Sequence, residues 1–240
     1  MTSLANAIRN VVLTSPEVSR LSSVRRSTSL FSQDQAADSV YLVDDGLVKL
    51  TRMSNNGGRI ILTIRGPQEL VGEEALADTR ATYYTEAEVL TTATIFRIPR
   101  SQLTRALTSS PELTAALVTY LLERRLALAE KVELLCLHDV EFRILHYLAE
   151  LAALVKPDVD GEGHRIPITQ LELADLIGAT RETTSTTLNQ LERRGLVKLS
   201  RRMLTVPSPN EVRNAAKVAH DKAVKQSVAQ ENVSTGSASQ

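Results

Sequence analysis

The stretch that decides the fold runs from Thr169 to Leu191, TQLELADLIGATRETTSTTLNQL. It reads as two short helices joined by a tight turn. Thr169 and Glu172 have capping-box spacing, in which each side chain satisfies a free backbone amide of the other. Leu173, Leu176 and Ile177 then recur at helical spacing. Gly178 ends the first helix where a left-handed residue costs least, and Thr180 is placed to cap the second. The second helix turns Thr184, Leu188 and Leu191 inward and leaves Arg181, Glu182, Ser185, Thr186 and Asn189 outward. A guanidinium and a carboxylate at the exposed N-terminal end of a helix suit the donors and acceptors of base edges in a major groove.

On either side of this unit the sequence supplies a small domain. Glu141 to Val155 has the pattern of a preceding helix, Lys156 to Arg165 is a polar loop, and Ile166-Pro167-Ile168 is a short strand. Gly195 closes the second helix of the unit. Leu196 to Leu199 and Met203 to Val206 pair around Ser200-Arg201-Arg202, which makes a wing. Pro207 and Pro209 end the domain. Asn210 to Gln226 has an Ala-rich helical texture, and the small polar residues from Ser227 to Gln240 are expected to be disordered.

Upstream, Ser110-Pro111-Glu112 starts a long helix expected to run to about Leu137. Val118, Leu121, Leu128, Val132 and Leu135 follow alternating steps of three and four, interrupted at Arg125. Such a stripe is the seam of a two-stranded coiled coil or the inner face of one amphipathic helix. A paired helix-turn-helix favours the dimer, since two half-sites one DNA turn apart need a two-fold axis.

The texture between about Thr28 and Pro99 is β. Val40 to Val43 leads through Asp44-Asp45-Gly46 to Leu47 to Leu50, and Asn55-Asn56-Gly57-Gly58 is a strong hairpin signal. Arg59 to Ile64, Tyr83 to Leu90 and Thr94 to Ile98 complete a compact antiparallel roll. Residues 1 to 24 read as a helical lead-in, with Pro16-Glu17 as a helix start. The fold class is therefore α+β. Residues 1–110 form a β-roll with its N-terminal helix and 111–137 a dimerisation helix. Residues 138–207 form a winged helix-turn-helix and 208–240 a tail.

Composition narrows the function. The chain has 240 residues, 42% of them hydrophobic and 23% charged, which is ordinary for a folded protein. Its formal net charge is zero, but seven basic residues against four acids between Arg165 and Val206 put +3 on the winged module. A basic module on an acidic body is the asymmetry of a DNA reader. One cysteine, Cys136, excludes an internal disulfide. The four histidines (His138, His146, His164, His220) lack metal-ligand spacing, and no nucleophile–base pair or phosphate loop appears, so neither an enzyme nor a metal site is expected. No apolar run reaches the roughly 20 residues that span a bilayer. With no signal-peptide pattern, a cytoplasmic location away from membranes is expected.

The order of β-roll, long helix and winged helix-turn-helix resembles the cyclic-AMP receptor protein/FNR family of bacterial transcription factors. The strings that carry the likeness are Tyr41-Leu42-Val43 with Gly46 to Leu50, Leu70-Val71-Gly72-Glu73, Glu123-Arg124-Arg125-Leu126, His138-Asp139-Val140 and Thr180-Arg181-Glu182-Thr183. They span about residues 28 to 207. The resemblance implies a regulator that binds double-stranded DNA as a homodimer and works with RNA polymerase. Arg181 falls where the family's guanine-reading arginine lies, Glu182 where a carboxylate accepts from cytosine, and Ser185 faces the same groove. Thr186 stands where the prototype activator has a second base-contacting arginine, so a GTG-type inverted repeat with one relaxed position is implied. Thr169, Arg201 and Arg202 take the phosphate-contacting positions.

For the effector, the resemblance implies a pocket at Gly72-Glu73, followed ten or eleven residues later by an arginine and a small hydroxyl residue. An ungapped count reaches Tyr83-Tyr84, and a shortening of two or three residues brings Arg80-Ala81 there instead. The long-helix positions that offer hydroxyls to adenine are Leu128 and Ala129, both apolar. Each polar partner left unmatched costs about 1–3 kcal/mol, so the usual cyclic-AMP contacts are not expected. Several alternatives stay open. They are a cyclic nucleotide held through Arg80, another small anion reached by Arg59, Arg65 and Arg80, and no ligand at all, with Tyr83, Tyr84, Leu128 and Leu76 filling the cavity. Haem or redox sensing through Cys136 and His138, and a sensor that acts by protein contact, complete the set.

Overall fold

The computed structural model describes residues 4–12, 14–158 and 163–219, and the statements below concern these. The expected disordered end and the distal part of the expected 210–226 helix lie outside them, as do His220 and the centre of the 156–165 loop. The chain divides into two compact units, Met1–Lys131 and Val132–Gln240. The fold is mixed α and β, as the sequence implied.

The first unit opens with α1 (Leu4–Val11), followed by β1 (Ser19–Val24). Pro16-Glu17 therefore does not start a helix; it lies in the turn that leads into β1, and the β region begins earlier than Thr28. Then come β2 (Ser29–Phe31), β3 (Ser39–Asp45), β4 (Val48–Met53), β5 (Arg59–Arg65), β6 (Leu70–Val71), β7 (Glu86–Val89) and β8 (Ala93–Pro99). A 3-10 turn, Glu73–Leu76, follows β6. The strands make two four-stranded antiparallel sheets, in the orders β1-β8-β3-β6 and β2-β7-β4-β5. Asn55 to Gly58 closes the β4–β5 hairpin, with Met53 paired to Arg59. After β8 come α2 (Arg100–Ser109) and α3 (Pro111–Leu137), the latter over the expected span.

The core between the sheets explains the run Val40 to Val43, which is buried on both faces of the strand. Leu4, Ala5 and Ile8 of α1 and Leu113, Leu117 and Tyr120 of α3 join the same cluster. Tyr83 sits at its centre, stacked on Phe31 with ring centroids 3.7 Å apart. Its hydroxyl donates to the Ser39 carbonyl (2.7 Å) and accepts from the Ser39 amide (3.2 Å). Burial pushes that phenol up to about 12, so it stays protonated and keeps donating.

In the second unit α4 (Val140–Leu154) is capped by the Asp139 carboxylate, which accepts from the Phe142 amide at 2.8 Å. β9 (His164–Ile166), α5 (Gln170–Ile177), α6 (Arg181–Arg193), β10 (Lys198–Ser200) and β11 (Met203–Val206) follow. The short strand thus begins before the expected Ile166-Pro167-Ile168, because it pairs with β11 through His164 to Ile166. A last helix, α7, covers residues 209–219 and buries Val212 and Ala216.

Gly72, between β6 and the 3-10 turn, shows how tight this core is. Its φ is +80°, and a Cβ there would meet Tyr83 at 2.9 Å and Phe31 at 3.1 Å. A left-handed non-glycine residue costs about 1–2 kcal/mol and overpacking about 1–3 more, so Gly72→Ala should lower stability by roughly 2–4 kcal/mol. Urea unfolding measures it, and a change within about 0.5 kcal/mol would contradict this packing.

Candidate nucleic-acid interface and effector pocket

The helix pair is built as its sequence implied. The Thr169 hydroxyl accepts from the Glu172 amide (3.0 Å), while the Thr169 amide and hydroxyl both donate to the Glu172 carboxylate (2.9 Å each). Both donors of Thr169 are thus directed at Glu172, which leaves none for a DNA phosphate in this arrangement. Gly178 ends α5 at φ +62°, ψ +43°. The Thr180 hydroxyl caps α6 by accepting from the Thr183 amide (3.2 Å).

The inward face of α6 is spent on packing: Thr184, Leu188 and Leu191 are fully buried, and the Thr184 hydroxyl donates to the Thr180 carbonyl. Arg181, Glu182 and Thr186 are exposed and Ser185 is half-buried. A helix N-terminus carries partial positive charge, which favours Glu182 and disfavours Arg181. Among the described residues Arg181 has no hydrogen-bond or ion-pair partner. A cation held against the local field with nothing to neutralise it is set up for an external anion or acceptor.

Three contacts that periodicity could not reveal hold the unit from behind. Arg143 of α4 donates to the Ile177 carbonyl at 2.7 Å, satisfying an end group of α5. Arg194 pairs with Glu141 at 2.6 Å. The Glu192 carboxylate accepts from the Leu199 amide at 2.8 Å and so ties α6 to the wing. The wing turns over two residues, Arg201 and Arg202, between paired Ser200 and Met203. Arg202 has φ +58°, and both arginines are exposed.

On α3 the expected seam residues Val118, Leu121, Leu128 and Val132 are 52%, 40%, 55% and 54% exposed, so the stripe is not the helix's own core face. The buried residues of the helix are Leu113, Leu117, Tyr120, Lys131 and Leu134. Leu135 is partly buried; its Cδ2 would lie 2.8 Å from a Cβ at Gly178, so it packs on the helix turn. Cys136 is exposed. His138 stacks on Phe142 at 4.1 Å. Among the described residues no group of three metal-ligating side chains gathers, and no helix is long and apolar enough to cross a membrane.

The expected effector residues come together only in part: Gly72 packs against Tyr83. Tyr83 is in the core, whereas Tyr84 is 56% exposed beneath the Arg52 guanidinium, 4.4 Å from its ring centre, so it fills no cavity. Leu128 and Ala129 face solvent, as do Arg80 and its neighbour Thr79; Ala81 packs against the core. Arg65 does not reach a pocket mouth either: it is buried, 3.4 Å from Glu69 and 3.9 Å from Glu73. Burial raises the Glu73 carboxyl against the opposing pull of Arg65. Glu69 also pairs with Arg124, whose guanidinium lies over Tyr120. The Tyr120 hydroxyl donates to the Leu70 carbonyl and accepts from its amide. A cleft of about 830 Å³ lies elsewhere, between α1, the Pro67–Glu69 turn and the first half of α3.

Comparison with known proteins agrees with this layout. The cyclic nucleotide-binding domain model matches residues 21–110, and the Crp-like helix-turn-helix domain model matches residues 142–215. The cyclic AMP receptor protein of Thermus thermophilus is 33% identical over 78% of this chain and 81% of its own. The nitrogen fixation regulation protein FixK of Azorhizobium caulinodans is 30% identical over 75% and 72%. Among solved structures, FixK2 from Bradyrhizobium japonicum superimposes with a TM-score of 0.69 at 20% identity, covering 82% of this chain and 96% of that one. The c-di-GMP responsive regulator CLP from Xanthomonas campestris gives 0.70 at 23%, covering 84% and 98%. At these identities the two structures speak for the fold alone.

The cap on α5 is directly testable. Thr169→Ala removes the acceptor for the Glu172 amide and should destabilise the winged unit by about 1 kcal/mol. Denaturant unfolding of the full chain, followed through signals of residues 132–219, measures it; an unchanged midpoint would mean the cap carries no weight.

Proposed function

Because the chain belongs to the cyclic-AMP receptor protein/FNR family of DNA-binding transcription regulators, we propose that it acts as a homodimer reading an inverted repeat of GTG-type half-sites. The observation that carries this reading is Arg181, exposed and unpartnered at the capped start of α6. Arg181 spans guanine O6 and N7, and Glu182 accepts from a cytosine amino group. Ser185 and Thr186 touch neighbouring bases with less selectivity. Arg201 and Arg202 hold phosphates, which position the protein without specifying sequence. Thr169, its donors spent on Glu172, supports the helix instead of a phosphate.

Dimerisation runs through the exposed stripe of α3. Four large apolar residues at seam spacing, each at least 40% exposed, are a costly surface to leave in water. The β-roll with its lead-in helix then serves as the sensor domain, α3 as the dimer element, and the unit from His138 to Pro207 as the DNA reader. As a regulator of transcription the protein acts in the cytoplasm alongside RNA polymerase.

The sensor works without a cyclic nucleotide. Glu73, the carboxylate that would receive a ribose hydroxyl, is buried with one oxygen 3.9 Å from Arg65 and its Oε2 without a hydrogen bond, and Tyr83 fills the core. Leu128 and Ala129 offer an adenine no hydrogen bond. One observation favours a second reading: Arg80 is exposed and its side chain unpartnered, so it is available to a cyclic phosphate.

Fluorescence anisotropy on a GTG-type palindrome, at several salt concentrations, tests both. Ligand-free binding that weakens steeply with salt is expected; binding only with cyclic AMP would select the Arg80 reading. Arg181→Ala should cost about 1–3 kcal/mol on the matched site and relax one base, whereas Arg201→Ala should weaken all sequences alike. Equal losses from both on every sequence would remove the assigned division of labour.

A further inference from the structure

The long helix carries one charge that neither the β-roll nor the DNA module uses. Arg125 interrupts the apolar stripe between Leu121 and Leu128, is exposed, and has no hydrogen-bond or ion-pair partner among the described residues. On a helix, an arginine can pair with a carboxylate three or four residues away. Here those positions are Leu121, Leu122, Leu128 and Ala129. The acids of the same helix lie elsewhere: at 100° per residue, Glu123 and Glu130 are about 160° and 140° around the axis, and Glu133 is about two turns further on. The basic residues beside it are engaged within their own unit. Arg124 bonds Glu69, and the buried Lys131 ammonium donates to the Ile61 carbonyl at 2.9 Å.

Pairing about a two-fold axis along the helix brings each seam position opposite its own copy. Arg125 would then face a second Arg125 at one level, with Leu121 and Leu128 above and below. Two guanidiniums confined between apolar layers lose water and repel each other, with no carboxylate on either seam to offset them. An oxyanion between them removes the repulsion and accepts a forked pair of N–H bonds from each side.

Resting on the dimer reading above, we propose that the seam holds an anion site on the two-fold axis, built by the two copies of Arg125. Its ligand is a small doubly charged oxyanion, a phosphate or a dicarboxylate. Of the residues expected to meet a cyclic nucleotide, only Leu128 takes part. The site is incomplete in one chain, so occupancy and dimerisation are thermodynamically linked: the anion strengthens the dimer, and the dimer creates the site. An anionic metabolite thereby sets DNA affinity without touching the β-roll pocket.

Sedimentation equilibrium of the full chain in chloride, inorganic phosphate and succinate, at one ionic strength and pH, tests this. Wild-type dimerisation should tighten about tenfold in phosphate or in succinate relative to chloride, a modest coupling by usual standards. The more effective probe identifies the class. Arg125→Leu should dimerise at least as tightly in chloride and respond to neither anion; Arg125 is exposed, so its replacement leaves the fold intact, which circular dichroism checks. A wild-type dimer indifferent to both anions overturns the site while leaving the dimer reading standing. An equal response from Arg125→Leu overturns it as well. If wild type and variant stay monomeric in all three buffers, the dimer reading falls and the site with it.

Discussion

A helix that reads base edges must keep its outer face free, so whatever holds it has to act from behind and at its ends. In α6 that constraint is met by three fully buried residues, Thr184, Leu188 and Leu191, and by the Thr180 cap. The elements around it are arranged to the same end. Arg143 secures the Ile177 carbonyl at the end of α5, Glu141 holds Arg194 just past the end of α6, and Glu192 fixes the start of the wing. The positive field at the start of α6 then works against Arg181 until an acceptor arrives, which is the electrostatic condition for a residue reserved for a ligand.

The β-roll unit follows a different logic. Several of its charged residues pair within the unit: Arg65 and Arg124 with Glu69, Arg65 near Glu73, Lys49 with Glu88, while Arg65 Nε, Arg124 Nε and Glu73 Oε2 stay buried without a hydrogen bond among the described residues. Buried ion pairs add little net stability compared with apolar packing, but removing one partner is costly because the other charge is left stranded. The pairs therefore act as registration marks that fix the long helix and the Pro67–Glu73 segment on the β-roll.

Much of this was legible in the sequence because it rests on local rules. The Thr169–Glu172 box, the left-handed Gly178, the Asn-Gly hairpin and the gap-free run of α3 each depend on a few neighbouring residues. The misreadings share the opposite property. Tyr83 and Tyr84 alternate, so one had to face inward, but only the position of Phe31, more than fifty residues away, decides which. Arg65 looked like a free strand-end arginine until Glu69 and Glu73 were seen to fold back over it. Arg143 bonds a carbonyl 34 residues away and has no sequence signature. Pro16-Glu17 does suit a helix start, yet the next residues are taken by pairing with β8. In the DNA module, Thr169 was legible as a cap, and its amide and hydroxyl both donate to Glu172.

The central claim is that α6 reads guanine through Arg181 in two symmetry-related grooves. Guanine N7 lies in the major groove and is one of the two acceptors such an arginine spans. Methylation interference on a bound operator fragment therefore tests the claim most directly. The account predicts one strongly interfering guanine in each half-site, related by two-fold symmetry and about one helical turn apart, with the interference at those guanines lost in Arg181→Ala. Uniform or absent interference at guanine N7 with wild-type protein would contradict it.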